Sequence, residues 1–183
     1  MLQKNEKPES GKKAKVIIGV DIGLTGGIAV ISALRNEQQV AEAYTMPVQD
    51  VSKEKKVKMA YNPAKIRELF VNFKEDFDIQ DVVIEKTRAQ WSGHNPQSSH
   101  KLGWGEGFFI GLCEGLDLVY LTVEPKAWQK HFGISGEKTT KTQSYEKAHE
   151  LFPLQELKGP RGGIKDGLCD ALLLAEYSRV IFS

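Results

Sequence analysis

The chain has 183 residues, 40% of them hydrophobic, which is enough for one compact domain with a real core and too few for two full domains. Lys and Arg number 25 against 24 Asp and Glu, for a net charge of +1, so the overall balance carries no nucleic-acid signal and any contact with a polyanion must come from local clusters. No apolar run approaches the roughly 20 residues of a membrane-spanning helix. No secretory signal opens the sequence, and Cys113 and Cys169 lack metal-ligand spacing and read as small buried apolar residues in a reducing compartment. The expected location is the cytoplasm of a bacterial or phage-infected cell, with an organelle as the alternative.

Residues 1–15 are polar and lysine-rich without apolar periodicity, which predicts a disordered basic tail ahead of a single domain over residues 16–183. Residues 16–31, VIIGVDIGLTGGIAVI, read as a buried strand ending in Asp21, a glycine-rich tight turn and a second buried strand. A carboxylate at that strand end is costly to bury unless a cation meets it. Taken alone, Asp21 is either a metal ligand or a cap on the turn. Residues 39–46 form a third strand, stopped by Pro47, and three strands joined by short turns imply an antiparallel meander.

Residues 49–58 carry Lys53, Lys55, Lys56 and Lys58. They read as a solvated loop, with a phosphate-contacting flap as the functional alternative. Asn62 and Pro63 supply an N-cap and an N1 proline, and Ile66, Leu69, Phe70 and Phe73 recur at helical spacing up to about Asp76. Val82, Val83 and Ile84 make a short strand that ends in a second acid, Glu85. Residues 86–100 form a polar loop with Lys86, Arg88, Trp91 and His94, suited to substrate contact. A glycine-studded helix follows over about 98–114, with Lys101 near its start, and its glycines suggest close packing or a ligand backbone close by.

Residues 118–123 are a further strand. Pro125 opens a short helix through Trp128, and residues 138–152 form another with Tyr145, Ala148, Leu151 and Phe152 inward. Lys126, Lys130, His131, Lys138, Lys141 and Lys147 cluster there. The last helix runs from Asp166 to about Ile181. Asp166 and Asp170 lie four apart, so both carboxylates project from one face, where two like charges destabilise a helix unless a cation is bound. The element order predicts an α/β fold: a mixed five-stranded sheet, three strands antiparallel and two parallel, with helices on both faces.

Four acids thus sit at comparable places, Asp21 and Glu85 at strand ends, Asp166 and Asp170 at a helix start. If the first and fourth strands are neighbours, the strand ends meet and the helix adds its two aspartates. An all-carboxylate site selects hard cations such as Mg2+ or Mn2+, and two ions about 4 Å apart suit hydrolysis of a phosphodiester.

The segments IGVDIGLTGGIAVI, VVIEKTR, SHKLGWGEG and KDGLCDALLLAEY resemble the RuvC-type Holliday junction resolvases, and EPKAWQKHFGISG with KTQSYEKAHELFP brings the phage-encoded and chloroplast branches nearest. The resemblance spans residues 16–177. It implies a ribonuclease H-like fold, a homodimer, branched DNA as the partner, and paired symmetric nicks made with two Mg2+ ions, Mn2+ substituting. By position it makes Asp21, Glu85, Asp166 and Asp170 the metal ligands and Lys141 the catalytic lysine, with Lys130 a second candidate. The alternative for Lys141 is a solvated helix residue. Lys86, Arg88, Trp91, Lys101, Lys126, Lys130, Lys138 and Lys141 are the expected DNA contacts, whereas His94, His100 and His131 read more simply as surface residues.

Two positions depart from the bacterial pattern. The last two acids are four rather than three residues apart, and Arg88 stands where those enzymes carry a junction-wedging phenylalanine, which leaves Trp91 as a candidate wedge. Competing readings are a nuclease of the same fold acting on RNA or another branched DNA, a non-catalytic junction-binding module, and an actin- or sugar-kinase-like phosphotransfer domain. The last needs two such domains around a cleft, more chain than is present.

Overall fold

The computed structural model describes residues 12–34, 40–52, 58–87, 96–136 and 140–181, with the backbone alone for residues 96–99 and 101. The expected flap residues 53–57, and Arg88, Trp91, His94 and Lys138, lie outside these.

The opening hairpin pairs β1 (Ala14–Asp21) with β2 (Gly27–Ser32), and Asp21 stands opposite Gly27 at its turn. β3 (Ala41–Thr45) continues the antiparallel meander. A small ribbon of β4 (Val48–Asp50) and β5 (Met59–Tyr61) follows, then α1 (Pro63–Asp76), β6 (Phe77–Glu85), α2 (Pro96–Gly115), β7 (Tyr120–Val123), α3 (Pro125–His131), α4 (Thr140–Leu151) and α5 (Asp166–Ile181). The five-stranded sheet has the order β3-β2-β1-β6-β7, with β6 parallel to β1 and β7 parallel to β6. The expected mixed sheet is therefore present, with the first and fourth strands of the expected order as neighbours.

Some boundaries differ from the sequence reading for identifiable reasons. β6 begins five residues before the apolar run because Phe77, Asp78 and Ile79 pair with Ala14, Lys15 and Val16 of β1. The same pairing starts β1 at Ala14, inside the expected tail. The β4–β5 ribbon escaped notice because three residues on each side give no apolar periodicity. α2 begins at Pro96, in the N1 role proline favours, and α3 runs on to His131. α1 matches its signals: the Asn62 side chain accepts from the Lys65 backbone N–H at 3.1 Å.

Strand alternation sorts the core into two layers. Val16, Ile18 and Val20 of β1 and Val82 and Ile84 of β6 face α1 and α2, against Ile66, Phe70, Phe73, Phe109 and Cys113. Ile17 and Val83 face the other way, against Leu172, Leu173 and Leu174 of α5, Ala148 of α4 and Trp128 of α3. Period-two geometry then turns Asp21 and Glu85 toward the α5 side as well. Both cysteines are buried and free, as expected. At its far end α5 is tied to β2 by a buried ion pair, Glu176 with Arg179, whose Nη1 donates to the Ser32 carbonyl at 3.3 Å. Among the described residues no helix is long and apolar enough to cross a membrane.

Candidate active site

Two glycine contacts set how closely α5 lies on the sheet. A Cβ on Gly19 would fall on the Ala171 carbonyl oxygen and 2.8 Å from the Ala175 nitrogen, so bare backbone at Gly19 lets the helix rest directly on β1. At the front, a Cβ on Gly27 would lie 2.5 Å from the Gly167 oxygen, and one on Gly167 would lie 2.5 Å from Gly26 Cα and closer still to the Thr25 oxygen. The first turn of α5 therefore sits on the β1–β2 turn. Of the glycines in α2, Gly105 fits the expectation of close packing, since a Cβ there would meet Ile22 Cγ2 at 2.7 Å, while Gly103, Gly107, Gly111 and Gly115 face open space.

Asp21 and Glu85 end neighbouring parallel strands, with Val20 beside Ile84 one residue earlier. Asp166 opens α5 and Asp170 follows one turn later on the same face. All four interact. Burial, then the charges of Glu85, Asp170 and Asp166, raise the Asp21 carboxyl well above the usual carboxylate range. Burial foremost, with Glu85 and Asp166, pushes Asp170 up to about 7 in spite of a hydrogen bond from Ser144 and the nearby Lys141 charge. Burial and then the Asp21 charge push the Tyr61 hydroxyl up to about 12.

Helices α3 and α4 supply the counterweights. Lys141 Nζ pairs with Asp166 Oδ2 at 2.6 Å, and that hydrogen bond raises the lysine pKa. Ser144, one turn along α4 and buried, donates to Asp170. Trp128 of α3, fully buried, donates its indole N–H to Glu85 Oε1 at 3.0 Å. Neither Trp128 nor Ser144 stood out as a site residue in the sequence. Each reads there as core filling or helix surface, and only the tertiary fold brings it to an acid.

The donor set fits a hard divalent cation. It is made of carboxylate oxygens, it carries uncompensated negative charge, and the buried Asp170 Oδ1 has no hydrogen-bond partner. Among the described residues no three His, Cys, Asp or Glu side chains are drawn close enough to hold an ion.

Of the expected DNA contacts, Lys86, Lys126, Lys130 and Lys141 have described side chains. Lys86 follows Glu85 and pairs with Glu124 at 3.3 Å. Lys126 and Lys130 are exposed on α3, and Lys101 lies on α2 with only its backbone described. His131 is exposed but packs its ring edge-on against Phe132 and Tyr177, in keeping with the plainer surface reading.

No protein-family model and no curated protein matches the chain. Solved structures do. RuvC of Thermus thermophilus, in complex with a Holliday junction substrate, superposes with a TM-score of 0.58 at 18% identity, covering 91% of this chain and 96% of that one. The chain has the RuvC fold. The yeast mitochondrial Holliday junction resolvase Ydc2 matches with a TM-score of 0.50 at 14% identity over 92% of this chain and 79% of that one. The Fowlpox virus resolvase, solved with its substrate Holliday junction DNA, matches with a TM-score of 0.50 at 13% identity over 91% and 98%. The RuvC fold accounts for the strand order, and at these identities it assigns no residue a role.

Proposed function

We propose that this protein is a structure-selective DNA endonuclease that resolves four-way junctions by paired symmetric nicks, acting as a homodimer. The observation that carries this reading is the electrostatic coupling of four carboxylates, Asp21 and Glu85 at the ends of β1 and β6 and Asp166 and Asp170 at the start of α5, with Lys141 paired to Asp166, in a fold shared with solved junction resolvases. Asp21, Glu85, Asp166 and Asp170 are the residues that would hold two Mg2+ ions, or Mn2+ in their place. When bound, such ions make water a nucleophile near neutral pH and offset charge on the leaving oxygen of a phosphodiester.

The chain's own groups do the rest. Lys141 is held protonated by Asp166, so it serves as a cationic donor to a phosphate oxygen and not as a base. Its side chain is 74% exposed and can turn from Asp166 to a phosphate without disturbing the core. Lys86, Lys101, Lys126 and Lys130, with Arg88, Trp91 and Lys138, contact the arms of the junction. Backbone contacts of this kind supply most of the affinity and release counterions, and the shape of the branch selects the substrate.

Cleavage of a four-way junction, a linear duplex and an RNA:DNA hybrid in Mg2+ tests the reading. The junction should be cut in two symmetric strands and the others spared. Equal cutting of all three would overturn it, and metal-independent binding without cutting would point to a binding module. Sedimentation of the DNA complex should show two protein chains per junction. Lys141→Ala should lower the cleavage rate about 100-fold, in the range for losing one charge-stabilising donor, with junction binding nearly unchanged. Full cleavage by this variant would return Lys141 to the solvated surface.

A further inference from the structure

Helices α3 and α4 cross the acid cluster from outside the sheet, and each brings it a neutral hydrogen-bond donor. Trp128 is fully buried among Ile134, Phe152 and the leucines of α5, and its N–H reaches Glu85 Oε1 at 3.0 Å. Ser144 is 2% exposed and donates to Asp170. Lys141 and Ser144 lie three apart on α4 and meet Asp166 and Asp170, four apart on α5, so the two helices pair rung by rung.

We propose that Trp128 and Ser144 are positioning residues, neutral donors that fix the Glu85 and Asp170 carboxylates so that cation binding does not have to order them. The proposal rests on the four acids being the cation ligands. The chemistry of the two donors suits the task. A lysine or arginine in either place would neutralise the carboxylate and compete with the ion, whereas an indole N–H or a hydroxyl orients an oxygen and leaves its charge in place. Rigidity suits it too. Trp128 is fully buried and Ser144 is 2% exposed, so packing confines both donors before an ion arrives. Asp170 shows the outcome, with Ser144 on the carboxyl group and Oδ1 left without a partner inside the site. Lys141 differs in kind. It is exposed and charged, and it must leave Asp166 when a cation or phosphate takes its place.

Calorimetric titration of the metal-free full chain with MnCl2, in parallel with the Mg2+ dependence of junction cleavage, tests this. Trp128→Phe keeps a ring in the buried pocket and removes the donor, and Ser144→Ala removes one oxygen. Each should weaken Mn2+ binding about 10-fold, the lower end for loss of a hydrogen bond behind a ligand. The Mg2+ midpoint for cleavage should rise by the same factor, with the rate at saturating Mg2+ changed much less and junction binding in EDTA unaltered. Ser144→Thr, which keeps the hydroxyl, should bind Mn2+ like the unmodified chain. Ser144→Ala carries the test if the Trp128 variant fails to fold. Unchanged Mn2+ affinity together with lowered thermal stability would overturn the proposal and make both residues purely structural. A chain that binds no Mn2+ before any substitution would overturn the assignment of the acids as well, so the two failures are separable.

Discussion

Asp21→Asn should abolish junction cleavage and at the same time make the metal-free protein more stable. The first effect follows from the proposed role: removing one of the four proposed cation ligands forfeits several kcal/mol of transition-state stabilisation, on the order of a 1,000-fold loss in rate or more. The second follows from the charges. Asp21 is pushed up first by burial and then by Glu85, Asp170 and Asp166, so an ionised Asp21 opposes folding until a cation offsets it. Asparagine keeps the shape and removes the charge. A gain of about 1–2 kcal/mol is expected, or roughly 2–8 °C for a chain of this size.

The pH dependence has a definite sign. Asp170 rises from 3.8 to about 7 on folding, so between those values the folded chain binds more protons than the unfolded one. Its contribution is complete below 3.8 and is lost as pH rises through about 7. Melting of the metal-free protein should therefore fall between pH 5 and 7.5, on the order of the effect seen with Asp21→Asn, and saturating Mg2+ should flatten the curve. A melting temperature that rises with pH in EDTA, or an Asp21→Asn variant less stable than the parent, would remove the carboxylate cluster as a source of strain.

Much of this arrangement was legible from local pattern. The β-branched run of residues 16–20 and the run at 82–84 each end in an acid, and strand alternation then fixes which face the acid takes. The i,i+4 pair Asp166 and Asp170 needed only helical geometry. What local pattern could not give was the company these acids keep. The bond from Trp128 to Glu85 joins residues 43 apart, and Trp128 looks like any tryptophan in a core. Ser144 sits in a helix of low amphipathicity, where a buried hydroxyl has no signature. Asp78, Gln80 and Asp81 interrupt the apolar pattern of β6, so local sequence shows only its last part, although the strand is held from Phe77 onward by pairing with β1. The residues expected to face DNA stand apart from all these: Arg88, Trp91 and Lys138 lie outside the described residues, and their roles rest on the proposed function.

Gly167→Ala should lower stability and cleavage together, through a single added methyl group. Gly167 lies between the two acids of α5, in a helix whose other buried positions are filled by larger side chains, and alanine there is ordinarily favoured by about 1 kcal/mol over glycine. Here the sign reverses. The added Cβ would meet Gly26 Cα at 2.5 Å and the Thr25 oxygen closer still, and both are backbone that cannot rotate aside. Either the β1–β2 turn moves or the first turn of α5 lifts, and Asp166 and Asp170 lift with it away from Asp21 and Glu85. Overpacking of this kind costs about 1–3 kcal/mol, and a displacement near 1 Å at the reacting centre is enough for about a 100-fold loss in rate. Melting and cleavage should therefore fall together, with Mn2+ affinity, while junction binding persists. Gly103→Ala in α2, where a Cβ meets nothing within 4 Å, is the matched control and should stabilise or leave the protein unchanged. If Gly167→Ala melted and cleaved like the parent, the close seating of α5 on the hairpin could not be what sets Asp166 and Asp170 beside the ends of β1 and β6.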